Sequence, residues 1–157
     1  GVQTCALPIC YGSMSYAGFK SLLYAGLSVD DPRVRAVFDW IRRHYTFDEN
    51  PGMGPQGHYY YMHAAARALR VAQQVRIETI EGEARNWRED LIDAIVERQR
   101  PDGTWVNVHP RWLEGEPALV TAYAILALQE TIKPVTFDVD EEETRDGAAA
   151  REEDDPS

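Results

Sequence analysis

The chain has 157 residues and a net charge of −10, a length that holds at most one domain with a modest core. Its charge is uneven: residues 134–157 carry ten Asp and Glu against two Arg, a local −8 that leaves −2 for the rest. A nearly neutral body is a poor match for nucleic acid or an anionic membrane surface, and no apolar run has the length of a transmembrane segment.

In chain order, the first stretch is "GVQTCALPI", which resembles the translated end of a sequencing adapter, where GCT CTT CCG ATC encodes Ala-Leu-Pro-Ile. Residues 1–10, Cys10 included, are therefore expected to be a scar, with the natural N-terminus and any signal peptide upstream. Both cysteines, Cys5 and Cys10, fall in this stretch, so neither disulfides nor thiolate metal sites are expected.

Five helices follow within residues 11–133. The first, "SMSYAGFKSLLYAGL", is small and apolar almost all round. At "SVDDP" Asp31 suits a helix cap and Pro32 a first helical position. The second, "DPRVRAVFDWIRRHY", sets Val34, Val37, Phe38 and Ile41 on one stripe, with its arginines mostly off it. After the Gly/Pro-rich loop "TFDENPGMGPQG", the third helix, "HYYYMHAAARALRVAQ", repeats the small-residue character of the first. A polar connector, "VRIETIEGEARN", leads to the fourth helix, Trp87 to Gln99, with Leu91, Ile92, Ala94 and Ile95 expected inward. The fifth, "LVTAYAILALQE", comes after the loop "VNVHPRWLEGEPA". Residues 134–157 read as a disordered acidic tail.

Shifts of 47 and then 59 residues align helices one, three and five, matching Ser15/Met62/Thr121, Gly18/Ala65/Ala124, Ser21/Ala68/Ala127 and Leu22/Leu69/Leu128. Small residues three apart suit closely packed inner helices, and the one-sided second and fourth helices suit an outer layer. Alternation at a period of roughly 50 to 60 residues marks a helical repeat architecture. Between the fourth and fifth helices stands "QRPDGTW". Pro101 cannot continue a helix, Asp102-Gly103 supplies the turn, and Gly103 is free to take positive φ. The Gln99 amide is expected to bond helix-end carbonyls or the next repeat. Trp105 offers a flat apolar body and one N–H donor to clamp a helix end.

"ERQRPDGTWVN" followed by "LVTAYAILAL" resembles the Gln-Trp repeat of the terpenoid-cyclase and prenyltransferase superfamily, which includes squalene–hopene cyclase. "MSYAGFKSLLYAGL", "DDPRVRAVFDWIRRHYTFDENPGMG", "QGHYYYMHAAARAL" and "RWLEGEPALVTAYAILAL" are similar to one bacterial branch, the prenyltransferase/squalene-oxidase repeat proteins. The resemblance covers about Ser13 to Gln129. It implies an all-α fold, the C-terminal arc of an α/α toroid whose N-terminal repeats are missing from this chain. It also implies an isoprenoid or other apolar small-molecule ligand, and an exported or periplasmic place in a bacterium.

The chemistry of that superfamily is only partly present. Cyclisation by protonation needs a carboxylic acid held protonated, for which those cyclases use an Asp-rich DxDD pattern. Here "DVDE", Asp138 to Glu141, lies in the acidic tail, and "VDDP" reads as a helix cap. Protein prenyltransferases hold zinc with Asp, Cys and His, and the trusted sequence offers no Cys. His58 and His63 are five apart, off the i, i+4 spacing of a metal pair, and read as structural. No cofactor and no metal are expected, and no catalytic residue is assigned.

What remains is aromatic. Tyr16, Tyr24, Tyr59, Tyr60, Tyr61, Trp112 and Tyr123 lie on inner helices or loops feeding them. Aromatic faces stabilise cations and line apolar pockets, and they also simply pack. The candidate cavity residues are Tyr16, Tyr60, His63, Trp112, Glu114 and Tyr123. Glu114 and Glu116 equally suit the N-terminus of the fifth helix. His63, Arg67 and Arg70 share one helical face, open to cavity or to solvent. Two functions fit: a cyclase-like enzyme acting on a polyprenyl substrate, or a non-catalytic binding or scaffolding protein built on the same toroid.

Overall fold

Five α-helices make up most of the computed structural model, which describes residues 11–134: α1 (Gly12–Tyr24), α2 (Pro32–Arg43), α3 (His58–Val71), α4 (Trp87–Glu97) and α5 (Pro117–Ile132). The adapter-like residues 1–10 and the acidic tail past Pro134 lie outside the described residues. None of the described helices is long and apolar enough to cross a membrane.

Local chemistry starts the outer helices. Asp31 caps α2 by accepting from the Arg33 amide at 2.9 Å, with Pro32 at the first helical position. Asn86 caps α4 by accepting from the Arg88 amide at 3.2 Å. Each outer helix buries one stripe: Val34 and Ile41 on α2, and Trp87, Leu91, Ala94 and Ile95 on α4. Ile92, expected inward, is exposed. It sits about 100° around the helix from Leu91, off the stripe that Leu91 and Ile95 define. The connector before α4 is not featureless. Its residues form β1 (Ile77–Glu78) antiparallel to β2 (Ala84–Arg85), with Ile77 facing Arg85 across the pair. Ile77 is fully buried, so this short hairpin contributes a side chain to the core.

The three small-residue helices lie side by side, α3 packing most extensively on α1 and α5; α2 lies on α1, and α4 against α5 and α3. Close approach follows from the small-residue column: Ala65 and Ala68 on α3, and Ala124 and Ala127 on α5, are buried. On α1, which no other described helix precedes, the equivalent Gly18 and Ser21 are exposed. Aromatic side chains fill the seams. Tyr16 of α1 meets Tyr61 of α3 edge-on at 5.7 Å between ring centres, and Phe19 stacks on Phe38 of α2 at 5.5 Å. Burying each such ring contributes about 1.5–3 kcal/mol.

Two indoles tie helix ends to later parts of the chain. Trp87 Nε1 donates to the Gln74 carbonyl just past α3 at 2.6 Å, and Trp105 Nε1 donates to the Ile95 carbonyl in the last turn of α4 at 2.8 Å. Both rings are buried. The Trp105 amide also donates to Thr121 Oγ1 on α5 at 3.2 Å, so this residue joins α4 to α5. Gln99 acts differently from expectation. Its amide donates to the Gly103 carbonyl at 3.0 Å, inside the turn rather than on a helix-end carbonyl or a neighbouring repeat. Gly103 takes φ +82°, a left-handed conformation that lets the turn close.

Trp105→Phe keeps most of the apolar body but removes the donor to the buried Ile95 carbonyl. It is expected to lower stability by about 1–3 kcal/mol, read as a lower urea midpoint with an unchanged slope. An unaltered midpoint would show that the indole N–H holds nothing.

Candidate functional site

The N-terminal ends of α1 and α3 are capped from a distance. Neither Tyr11 nor Gly57, the two N-cap residues, provides a side-chain bond. The buried Asn50, in the loop leading to α3, accepts from the Ser13 amide with Oδ1 at 3.1 Å, and its Nδ2 donates to the Gln56 carbonyl at 3.1 Å. Glu114, in the loop leading to α5, accepts from the Tyr60 amide with Oε1 at 2.8 Å. Its other oxygen, Oε2, accepts from Asn107 Nδ2 at 2.7 Å, and the same Nδ2 donates to the Pro55 carbonyl at 2.7 Å. Glu114 thus serves a helix N-terminus, but that of α3 rather than α5. Glu116, at the N-cap of α5, makes no side-chain cap bond.

This loop carries the strained part of the chain. Trp112 at φ +55° and Leu113 at φ +65° both sit in the left-handed region, at a cost of order 1 kcal/mol each for residues other than glycine. They lie in a single 3-10 turn, Arg111–Leu113. The turn lays the Trp112 ring over the α3 N-terminus, so close that a methyl group on Gly57 would lie 2.9 Å from two of its ring carbons. Gly57 is itself at φ +65°. The Arg111 guanidinium lies 4.4 Å from the centre of the Trp112 ring and donates to Gln56 Oε1 at 2.7 Å, holding the turn to the preceding loop.

Around these residues opens a cavity of about 280 Å³ lined by Tyr11, Ser13, Gly57, Tyr60, Trp112, Glu114 and Tyr123. Tyr60 and Tyr123 meet edge-on at 5.8 Å between ring centres. Glu114 is 1 % exposed, whereas Tyr60 at 43 % and Trp112 at 48 % form an open wall above it. Burial, and after it the neighbouring Tyr60 and Glu114, push the Tyr123 phenol up from its ordinary range.

Of the residues expected at a cavity, Tyr60, Trp112, Glu114 and Tyr123 come together here. His63 stands behind them, its ring stacked on Tyr123 at 6.0 Å, with burial pulling its pKa down. Tyr16 is elsewhere: it is 1 % exposed in the α1–α3 seam against Tyr61, and it lines no part of this cavity. The α1 face carrying Tyr16 meets α3, which is why a ring on an inner helix packs rather than lines. Sequence reasoning missed Asn50 and Asn107, whose partners lie 37 and 52 residues away. The only hint of either was an Asn in a loop before an inner helix.

The other polar groups have structural partners. Arg67, Arg70 and Lys133 all meet the buried carboxylate of Glu130 on α5, Arg67 at 3.0 Å and Lys133 at 2.9 Å. Burial would push that carboxyl up, but hydrogen bonds from Lys133, Arg70 and Arg67 outweigh it and hold the pKa at about 2. His58, buried at the start of α3, donates from Nε2 to the Phe47 carbonyl at 2.8 Å, and burial pulls its pKa down to about 4. A larger cleft of about 380 Å³ lies between the β1–β2 hairpin and α4, walled by carboxylates including Glu81, Glu83, Asp90, Asp93 and Glu97. Among the described residues no group of three or more His, Cys, Asp and Glu is placed to hold a metal ion.

The sequence matches no protein-family model, no curated protein and no solved structure.

Gly57→Ala places a methyl both at positive φ and against the indole. It is expected to cost about 1–3 kcal/mol and to increase the quenching of the already half-exposed Trp112 by acrylamide, measured as the difference from a Trp112→Phe variant. Unchanged stability and quenching would show that Trp112 does not rest on the α3 N-terminus.

Proposed function

We propose that this chain is an arc of an α/α toroid of the terpenoid-cyclase type, and that the aromatic mouth of its inner layer binds an isoprenoid-like apolar ligand. The observation that carries the reading is the meeting of Tyr60, Trp112 and Tyr123, from two inner helices and the loop between their repeats, around one cavity of about 280 Å³. Ligand sites are concave and mostly apolar, with a few fixed polar groups, and Glu114 with Ser13 fits that pattern. The sequence resemblance, the row of small-residue helices and the outer pair behind them support the toroid.

The reading is one of binding rather than chemistry. The single carboxylate lining the cavity among the described residues, Glu114, accepts hydrogen bonds on both oxygens. That arrangement fixes an orientation for the acid; it does not aim a proton at a ligand. The arc therefore fits a binding protein built on the superfamily's layers.

Farnesol titrated into the chain is expected to saturate a single site by calorimetry and to quench tryptophan fluorescence. Trp112→Ala should weaken that binding about tenfold, the effect of losing roughly 1.4 kcal/mol of ring contact. Heat that never saturates, or binding indifferent to Trp112→Ala, would count against the cavity as the site.

A further inference from the structure

Two carboxylates are buried among the described residues, Glu114 and Glu130, and the fold treats them differently. Glu130 is met by three cations, Arg67, Arg70 and Lys133. Glu114, 1 % exposed, is in no ion pair among the described residues. An ionised carboxylate withdrawn from water costs several kcal/mol unless charge and hydrogen bonds offset it. Two N–H donors, from Tyr60 and Asn107, supply only the hydrogen bonds. A carboxylate has about four acceptor positions, so Glu114 retains capacity on both oxygens.

Glu114 lines the cavity, and the described part of the cavity wall suits a cation. Tyr11, Tyr60, Trp112 and Tyr123 ring it, and among the described residues no Lys, Arg or His lines it. Aromatic faces attract cations through their quadrupole, most strongly where water is excluded. The Trp112 ring already does so elsewhere: the Arg111 guanidinium packs on it at 4.4 Å, while Arg111 itself is not part of the lining. A missing positive charge and an aromatic cage of fitting size thus stand at the same point.

We propose that the cavity takes an organic ammonium group, with Glu114 as its counter-charge and Tyr60, Trp112 and Tyr123 as its cage. This rests on the reading of the cavity as a ligand site and narrows the ligand. The ammonium sits against Glu114 beneath Tyr60 and Trp112, and any apolar chain it carries runs out past those two exposed rings. A quaternary or methylated ammonium fits best, because its methyl groups share the charge over the ring faces and need no hydrogen-bond acceptors beyond the carboxylate.

The test uses choline and its neutral carbon isostere, in which tert-butyl replaces trimethylammonium, titrated into the whole chain by calorimetry. Choline is expected to bind at least tenfold more tightly than the isostere. Glu114→Gln keeps an acceptor for the Tyr60 amide and should shrink that ratio toward one. Trp112→Leu, at a half-open position, keeps apolar bulk and should weaken choline fivefold or more while leaving the isostere nearly unchanged. Equal binding of the two compounds, or a preference for choline that survives both substitutions, would overturn the proposal. Saturable farnesol binding without choline binding would overturn the ammonium assignment alone; if neither binds, the ligand cavity falls with it.

Discussion

A helix begins with amides that its own carbonyls cannot reach, and two helices of this chain, α1 and α3, borrow acceptors from loops further along the chain. Asn50 reaches the Ser13 amide of α1 across 37 residues, and Glu114 reaches the Tyr60 amide of α3 across 54. Ser13 and Tyr60 are 47 apart, the same shift that aligns the small-residue columns of α1 and α3. The acceptors differ, an amide in one case and a carboxylate in the other, yet each comes from the loop that leads into the next small-residue helix, α3 or α5. Such a bond can form only when the loop before the next small-residue helix has docked, so it links helix initiation to the packing of neighbouring helices. The indoles of Trp87 and Trp105 do the converse at helix ends, taking the Gln74 and Ile95 carbonyls.

The site grows from that constraint. To bring its carboxylate to α3, Glu114 has to be carried inward by a loop that turns sharply, and the turn costs two left-handed residues, Trp112 and Leu113. The same turn swings Trp112 over Gly57, where no side chain is in its way. Tyr60 and Tyr123 then close the ring from α3 and α5. A capping interaction has therefore assembled an aromatic wall beside a buried carboxyl group. Glu130 shows what the fold does when a buried carboxylate is purely structural: it surrounds it with Arg67, Arg70 and Lys133.

Much of this was legible in the sequence where the signal is local. Helix periodicity, the Asp31 cap, the Pro101-Asp102-Gly103 turn and the row of small residues depend on spacing within a few turns, and the structure carries all of them. Tyr60, Trp112, Glu114 and Tyr123 could be grouped because each stands on a small-residue helix or on the loop entering one. The rest needed geometry across the fold. Which face of α1 meets α3 decides that Tyr16 packs, and a helix readable as small all round does not reveal that face. Ile92 looked inward because one more apolar residue beside Leu91 broadens a stripe without shifting its period. The β1–β2 hairpin is two residues per strand, too short for alternation to register. Glu114 stood three residues before α5, which pointed to the wrong helix; only the packing of its loop against α3 assigns it there.

The central claim is that the first turn of α3 is held by a carboxylate from the loop before α5, and amide hydrogen exchange at Tyr60 tests it directly. The account predicts a slowly exchanging Tyr60 amide in the native chain that becomes fast in Glu114→Ala, while amides deeper in α3, such as that of Ala65, keep their protection. A Tyr60 amide that exchanges as fast with Glu114 as without it would contradict the account.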